Sequence, residues 1–137
     1  MTGLHALHLV VLGLWGGVVL VELVFEAAAM NGYFPAAETA KLHRWTDRYV
    51  ELPLLSLVVG SGLLLWSRLG WSAALLPKIL CGSAAVAANL VCVVFVEKRA
   101  RAGVSERQTR NIFGTVVVGL PAALVAFFLG GQRAGWW

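Results

Sequence analysis

The chain has 137 residues, of which 59% are hydrophobic and only 13% charged. A soluble domain usually holds about 45–50% apolar and about 25% charged residues. The formal net charge of +4 would suit nucleic acid, but the basic residues lie in connections between apolar runs, so a lipid bilayer is the expected partner and nucleic acid is not.

Four continuous apolar runs, at residues 4–25, 46–66, 76–96 and 112–131, each approach the ~20 residues a helix needs to cross a hydrocarbon core. They show no alternation of period two, which argues against a β-barrel. They leave no room for a separate soluble domain. The expectation is one all-α domain over residues 1–137: an integral membrane four-helix bundle with up-down topology.

The first run begins "MTGLHALHLVVLGLWGG". With no basic segment ahead of it and an apolar stretch longer than that of a signal peptide, it reads as a retained helix. His5, His8, Trp15, Glu22 and Glu26 recur at steps of 3, 7, 7 and 4, so they share one helical face. Lipid would penalise that face, so it should turn inward. Gly13 and Gly17 form a small-xxx-small pair of the kind that permits close helix contact. "NGYFP" at 31–35 should break the chain.

"KLHRWTDRYVELP" (41–53) leads into the second run. Its ionisable residues sort onto two faces: His43, Asp47 and Glu51 at i, i+4 and i+8, and Lys41, Arg44 and Arg48 around the other side. "RLG" (68–70) makes a short turn, and Pro77 suits the first turn of the third helix, where a missing N–H does no harm. That helix carries Lys78, Cys81, Ala85, Asn89 and Cys92 on one stripe. The two cysteines are eleven residues apart, about 16 Å along a helix, and so cannot bridge within it; both read as small buried apolar residues. Ser105 with Gln108 is a candidate capping box ahead of the fourth helix, in which Pro121 should introduce a kink. Trp66, Trp71, Trp136 and Trp137 read as an aromatic belt.

Lys41, Arg44, Arg48, Lys98, Arg99, Arg101, Arg107 and Arg110 fall on one side of this layout, and Arg68, Lys78 and Arg133 on the other, eight against three. Connections rich in Lys and Arg stay in the cytoplasm. Both termini are therefore expected on the non-cytoplasmic side of a bacterial inner membrane.

Two sites emerge. At the cytoplasmic end, Glu22, Glu26, His43, Asp47 and Glu51 could make a carboxylate-rich metal site, with Asn89, Glu97, Arg110 and Asn111 approaching. Four-helix bundles commonly hold metals on inward faces, although the Glu-x-x-His pairs of ferritin-like bundles are missing. An interfacial ion-pair network with Arg44, Arg48 and Arg110 is the plainer reading, because ionisable groups near helix ends need only water or a partner. At the other end, His8 is a candidate haem ligand and Lys78 a partner for a propionate. His43 cannot share that iron, since most of a ~30 Å span separates the two ends.

"HLVVLGLWGG", "VVGSGLLLW", the "GW" before the helix of Lys78, and "TRNIFGTVVVGLP" together resemble the small membrane-bound haem-type protoporphyrinogen oxidases, and more loosely the copper-resistance membrane proteins of similar helix count. The resemblance implies haem b, with His8 as the ligating histidine, Trp15 at the family's spacing from it, and Lys78 as the family's lysine. Where those oxidases carry a Pro-Arg segment and a second histidine, this chain has "ELVFEAAAM", so the resemblance bears on the fold more than on that activity.

The leading expectation is thus a small membrane haem- or metal-binding protein with a redox role. The alternatives are a non-catalytic small subunit or assembly partner, with no cofactor and with a homo-oligomer or other membrane subunits as its context, and a proton- or ion-conducting protein. The topology is directly testable: a reporter fused after Trp137 is expected to give a periplasmic signal, and a cytoplasmic one would invert the orientation.

Overall fold

The computed structural model describes residues 3–70 and 72–134, with side chains as far as Gln132. The described residues form helices and no strands: α1 (Gly3–Met30), α2 (Ala36–Thr46), a π-helical turn (Asp47–Glu51), α3 (Leu52–Leu69), a short 3-10 turn (Ala73–Leu75), α4 (Leu76–Ala102) and α5 (Glu106–Ala134). Four helical spans among them are long and apolar enough to cross a membrane: Gly3–Met30, Ala36–Leu69, Ala73–Ala102 and Glu106–Gln132.

These spans are longer than the apolar runs. The second starts ten residues before the expected residue 46, because Pro35 opens α2 and the amphipathic segment that follows is helical without being uniformly apolar. The third runs on through Glu97–Arg101 for the same reason. A run of hydropathy marks what lipid tolerates, whereas a helix continues until its backbone is interrupted. The interruptions are glycines with positive φ: Gly32 (78°), Gly70 (73°) and Gly103 (88°), a conformation that costs other residues a steric clash.

The π-helical turn has a covalent cause. Pro53 lies in the first turn of α3, within a helix otherwise continuous from Ala36 to Leu69. Proline lacks the N–H that would bond back to residue 49, and its ring crowds that residue's carbonyl. The ladder widens by one residue over Asp47–Glu51 to relieve the conflict, a device that is common at functional sites.

Two apolar clusters hold the helices together. Val11, Trp15, Leu55, Val58 and Ala85 pack where α1, α3 and α4 meet, and Cys92, Val96 and Ile112 join α4 to α5. The outward residues are largely apolar, with Val10, Val24, Leu80 and Val118 all at least 60% exposed. An outward apolar surface of this kind fits lipid contact. Trp66 is exposed near the end of α3; Trp71, Trp136 and Trp137 lie outside the described residues.

Small residues do mediate a close helix contact, but not the expected pair. A Cβ on Gly119 would stand 3.0 Å from Ala88 Cβ, and one on Gly82 would stand 4.0 Å from Ala126 Cβ, whereas one on Gly13 or Gly17 would meet nothing within 4 Å. The close approach is therefore between α4 and α5. Pro77 takes the expected place in the first turn of α4, and Pro121 lies inside α5. Half of the capping box is present: the Gln108 amide donates to Ser105 Oγ at 3.3 Å, while Gln108 Oε1 has no partner.

The α4–α5 contact leads to a stability test. Gly119→Val is expected to destabilise the protein by about 1–3 kcal/mol, the usual cost of forcing extra methyl groups into a packed contact, and Gly13→Val to leave it nearly unchanged. Unfolding of both variants in mixed micelles, followed by circular dichroism, checks the difference.

Candidate functional site

Six buried polar residues converge where α1, the α2–π-turn segment and α4 meet. Glu22 and Glu26 come from α1, His43 from α2, Asp47 and Glu51 from the two ends of the π turn, and Arg99 from α4; Glu26, Asp47 and Glu51 are 2% exposed and Arg99 is 1% exposed. Ionised groups removed from water need partners, so where each one finds a partner defines the site.

Arg99 and Glu26 form a two-pronged ion pair: Nη1 donates to Oε2 at 2.8 Å, and Nη2 donates to Oε1. The same Glu26 Oε1 lies 2.5 Å from His43 Nδ1. An ionised carboxylate only accepts, so Nδ1 carries the proton and donates. Arg99 Nη2 also approaches Nδ1, at 3.5 Å, too far to compete. A line from Arg99 through Glu26 to His43 therefore fixes the tautomer and the ring, and leaves Nε2 on the opposite edge.

Nε2 faces two more carboxylates, Glu22 Oε2 at 3.5 Å and Asp47 Oδ1 at 3.6 Å. One ligand atom from each of Glu22, His43 and Asp47 lies within 4.8 Å of the other two. Neither oxygen of Asp47 has a hydrogen-bond partner, nor does Glu22 Oε1. Buried polar atoms are nearly always hydrogen-bonded, so three unsatisfied oxygens on the two carboxyl groups that face one imidazole nitrogen are a marked exception.

Glu51 belongs to a neighbouring set. Its Oε1 accepts from Trp15 Nε1 at 3.2 Å and also from Asn89 Nδ2. Beside it lies a cavity of about 30 Å³ bordered by Glu22, Glu26, His43, Glu51, Asn89 and Cys92 among others, room for at least one water. Cys92 is buried and Cys81 half-buried, and both are free thiols.

The five carboxylate and histidine positions read from the sequence are thus brought together, but with divided roles. Glu22, His43 and Asp47 face one another, Glu26 anchors the histidine, and Glu51 is held by Trp15 and Asn89. Trp15, grouped above with His8, lies at the carboxylate cluster instead. Glu97 does not join: Arg44 (Nε 2.9 Å, Nη2 3.0 Å), Arg48 (2.9 Å) and Arg101 (3.1 Å) all bind it at a partly exposed rim. The ion-pair network imagined for the acidic cluster therefore exists one layer outward. Arg110 borders a separate cleft beside Glu26 and Arg99, and Asn111 is exposed.

Arg99 is the functional residue that sequence reasoning missed. It sits in the run "EKRAR" and was counted with the solvated charges of a connection. A signal was present: two turns beyond Cys92, it extends the stripe of Lys78, Cys81, Ala85, Asn89 and Cys92.

At the other end, the Ser61 hydroxyl donates to the Leu57 carbonyl at 2.6 Å, and His8 Nδ1 lies 2.8 Å from the same oxygen. With the hydroxyl proton committed, Nδ1–H donates and Nε2 keeps its lone pair. The ring lies against α3, where a Cβ on Gly62 would stand 3.3 Å from His8 Cε1. Lys78 reaches α5, with Nζ 3.2 Å from where a Gly130 Cβ would stand.

Comparison with known proteins returns no matching family model, no matching curated protein and no matching solved structure. The chemistry of the site is accordingly argued from its geometry alone.

The buried pair makes a sharp stability prediction. Arg99→Met strands Glu26 as an uncompensated buried charge and is expected to cost about 3–5 kcal/mol, whereas the double variant Glu26→Leu/Arg99→Met should recover much of that loss. Chemical unfolding of the two variants measures the difference.

Proposed function

We propose that this is a membrane-embedded metal-binding protein in which Glu22, His43 and Asp47 hold one divalent transition-metal ion. The observation that carries the reading is the Asp47 carboxylate. It is 2% exposed, has neither oxygen hydrogen-bonded, and lies beside a histidine nitrogen whose tautomer is already set for ligation. A metal-bound histidine characteristically donates its other N–H to a carboxylate, which orients the ring and raises its basicity. Glu26 does this here, itself pinned by Arg99.

One imidazole with two carboxylates suits zinc, iron, manganese or cobalt better than the soft-ligand metals. Iron or manganese would supply one-electron chemistry, consistent with a redox role. The setting proposed is a bacterial inner membrane with both termini outside, so the site lies toward the cytoplasmic end of the bundle.

Haem at His8 is the competing expectation, carried by the resemblance. The Nε2 of His8 would be the ligating atom, since Nδ1 is engaged with Ser61. That hydrogen bond already accounts for a buried histidine at a contact between α1 and α3, so the metal reading stands on more of the structure.

The test is elemental analysis and Co²⁺ titration of the purified protein. About one metal per chain is expected, with Asp47→Asn and Glu22→Gln each weakening binding at least tenfold and His8→Ala leaving it unchanged. A Soret band abolished by His8→Ala, in protein that takes up no Co²⁺, would replace the metal reading with haem.

A further inference from the structure

Glu22 also borders a second cavity. It is a groove of about 540 Å³ between α1 and α2, with Gly13, Gly17, Val21, Phe25 and Leu42 supplying apolar wall and Glu22, Thr39, His43 and Thr46 its polar part. The volume falls in the range of sites for small organic ligands, about 300–1,000 Å³.

The polar part of the groove is an acceptor surface. The Thr39 hydroxyl donates to the Pro35 carbonyl at 3.3 Å and that of Thr46 to the Leu42 carbonyl at 2.9 Å, so each presents only lone pairs to the groove. Glu22 brings a carboxyl group, 7% exposed, with one oxygen unpartnered. His43 gives its Nδ1 proton to Glu26. A ligand held here must bring its own donors.

The local charge says which kind of donor. The buried residues of the described chain include four carboxyl groups (Glu22, Glu26, Asp47 and Glu51) and one guanidinium, Arg99. In an apolar surround such an excess attracts cations far more strongly than it would in water. The walls, meanwhile, select against a hydrated inorganic ion along the groove. A Cβ on Gly13 or Gly17 would meet nothing within 4 Å, so this glycine strip is open to a ligand, and Phe25 adds an aromatic side chain to the wall.

We propose that the α1–α2 groove binds a lipophilic organic cation, an ammonium carried on an apolar arm, with its charge at Glu22 and its arm along the Gly13–Gly17 strip. The free amine, not a lipid headgroup, is the occupant. The groove shares Glu22 and His43 with the proposed metal site, so amine and metal compete for Glu22; Asp47 does not border the groove, so loss of the metal with Asp47→Asn leaves the groove in place.

Equilibrium dialysis of radiolabelled phenylbutylammonium against the metal-free full chain in phosphatidylcholine nanodiscs tests it, with uncharged phenylbutanol as the matched control. Saturable binding near one per chain is expected, at least tenfold tighter than the alcohol. Gly17→Leu should fill the groove and lower the affinity at least tenfold, as should Glu22→Gln, while Val118→Leu on the outward face of α5 has no effect. Circular dichroism and thermal melting establish that the variants fold, and Gly13→Leu provides an independent block should Gly17→Leu misfold. Equal uptake of the alcohol would overturn the proposal, as would indifference to both glycine substitutions. Glu22-dependent retention of phosphatidylethanolamine in place of the amine would reassign the groove to a headgroup and also overturn it. So would a change in oligomeric mass on Gly17→Leu, which would make the groove a contact with a second copy. Loss of Co²⁺ binding in Asp47→Asn with amine binding intact keeps the two sites distinguishable.

Discussion

Everything at the site depends on how the Glu26 carboxylate is held. Glu26 sits at 2% exposure in a helix apolar enough to cross a membrane, where an unpaired charge is expensive. Arg99 answers it with two hydrogen bonds and His43 with a third. Geometry of this quality is what allows a buried ion pair to offset its desolvation. Because Arg99 belongs to α4 and His43 to α2, the same contact ties three helices together and decides which nitrogen of the imidazole faces Glu22 and Asp47. Packing and chemistry are one arrangement here: to loosen the pair is to turn the ring.

The carboxylates opposite are held differently. Glu51 is satisfied by donors from Trp15 and Asn89, but Asp47 is not, although the two residues bracket the same π-helical turn. The contrast follows from what each meets. Glu51 points at polar side chains of α1 and α4, whereas Asp47 meets the far edge of His43. Around this inner group, the rim of Glu97 with Arg44, Arg48 and Arg101 gathers basic side chains that would otherwise compete for the buried acids.

Helical stripes were readable from sequence because a period of 3.6 residues places His8, Trp15, Glu22 and Glu26 on one face whatever the tertiary packing, and the structure buries all four. The division of labour among them was not readable, because it depends on which helix lies opposite. Trp15 donates to Glu51, thirty-six residues away, and no local pattern encodes that meeting. Arg99 was hidden by its neighbours: in a run of charges, the buried member looks like the solvated ones. Helix lengths were underestimated because hydropathy is blind to an amphipathic extension such as Ala36–Thr46. Gly13 and Gly17 were read as a contact because small residues permit one, but permission is not contact, and in this chain the close approach goes to Gly119 against Ala88.

The widened turn at Asp47–Glu51 also acts as a phase shifter. Upstream of it, His43 is set on one helical clock, and downstream Ser61 is set on another, turned by the extra residue. Each α-helical residue advances the face by about 100°, from 3.6 residues per turn. In a uniform α-helix His43 and Ser61, eighteen residues apart, would lie about five whole turns apart and so on one face; the extra residue turns them out of phase within the 34-residue span that meets α1 at Glu26 through His43 and at His8 through Ser61. The change of phase made next to one proline therefore sits between the two contacts that this span makes with α1.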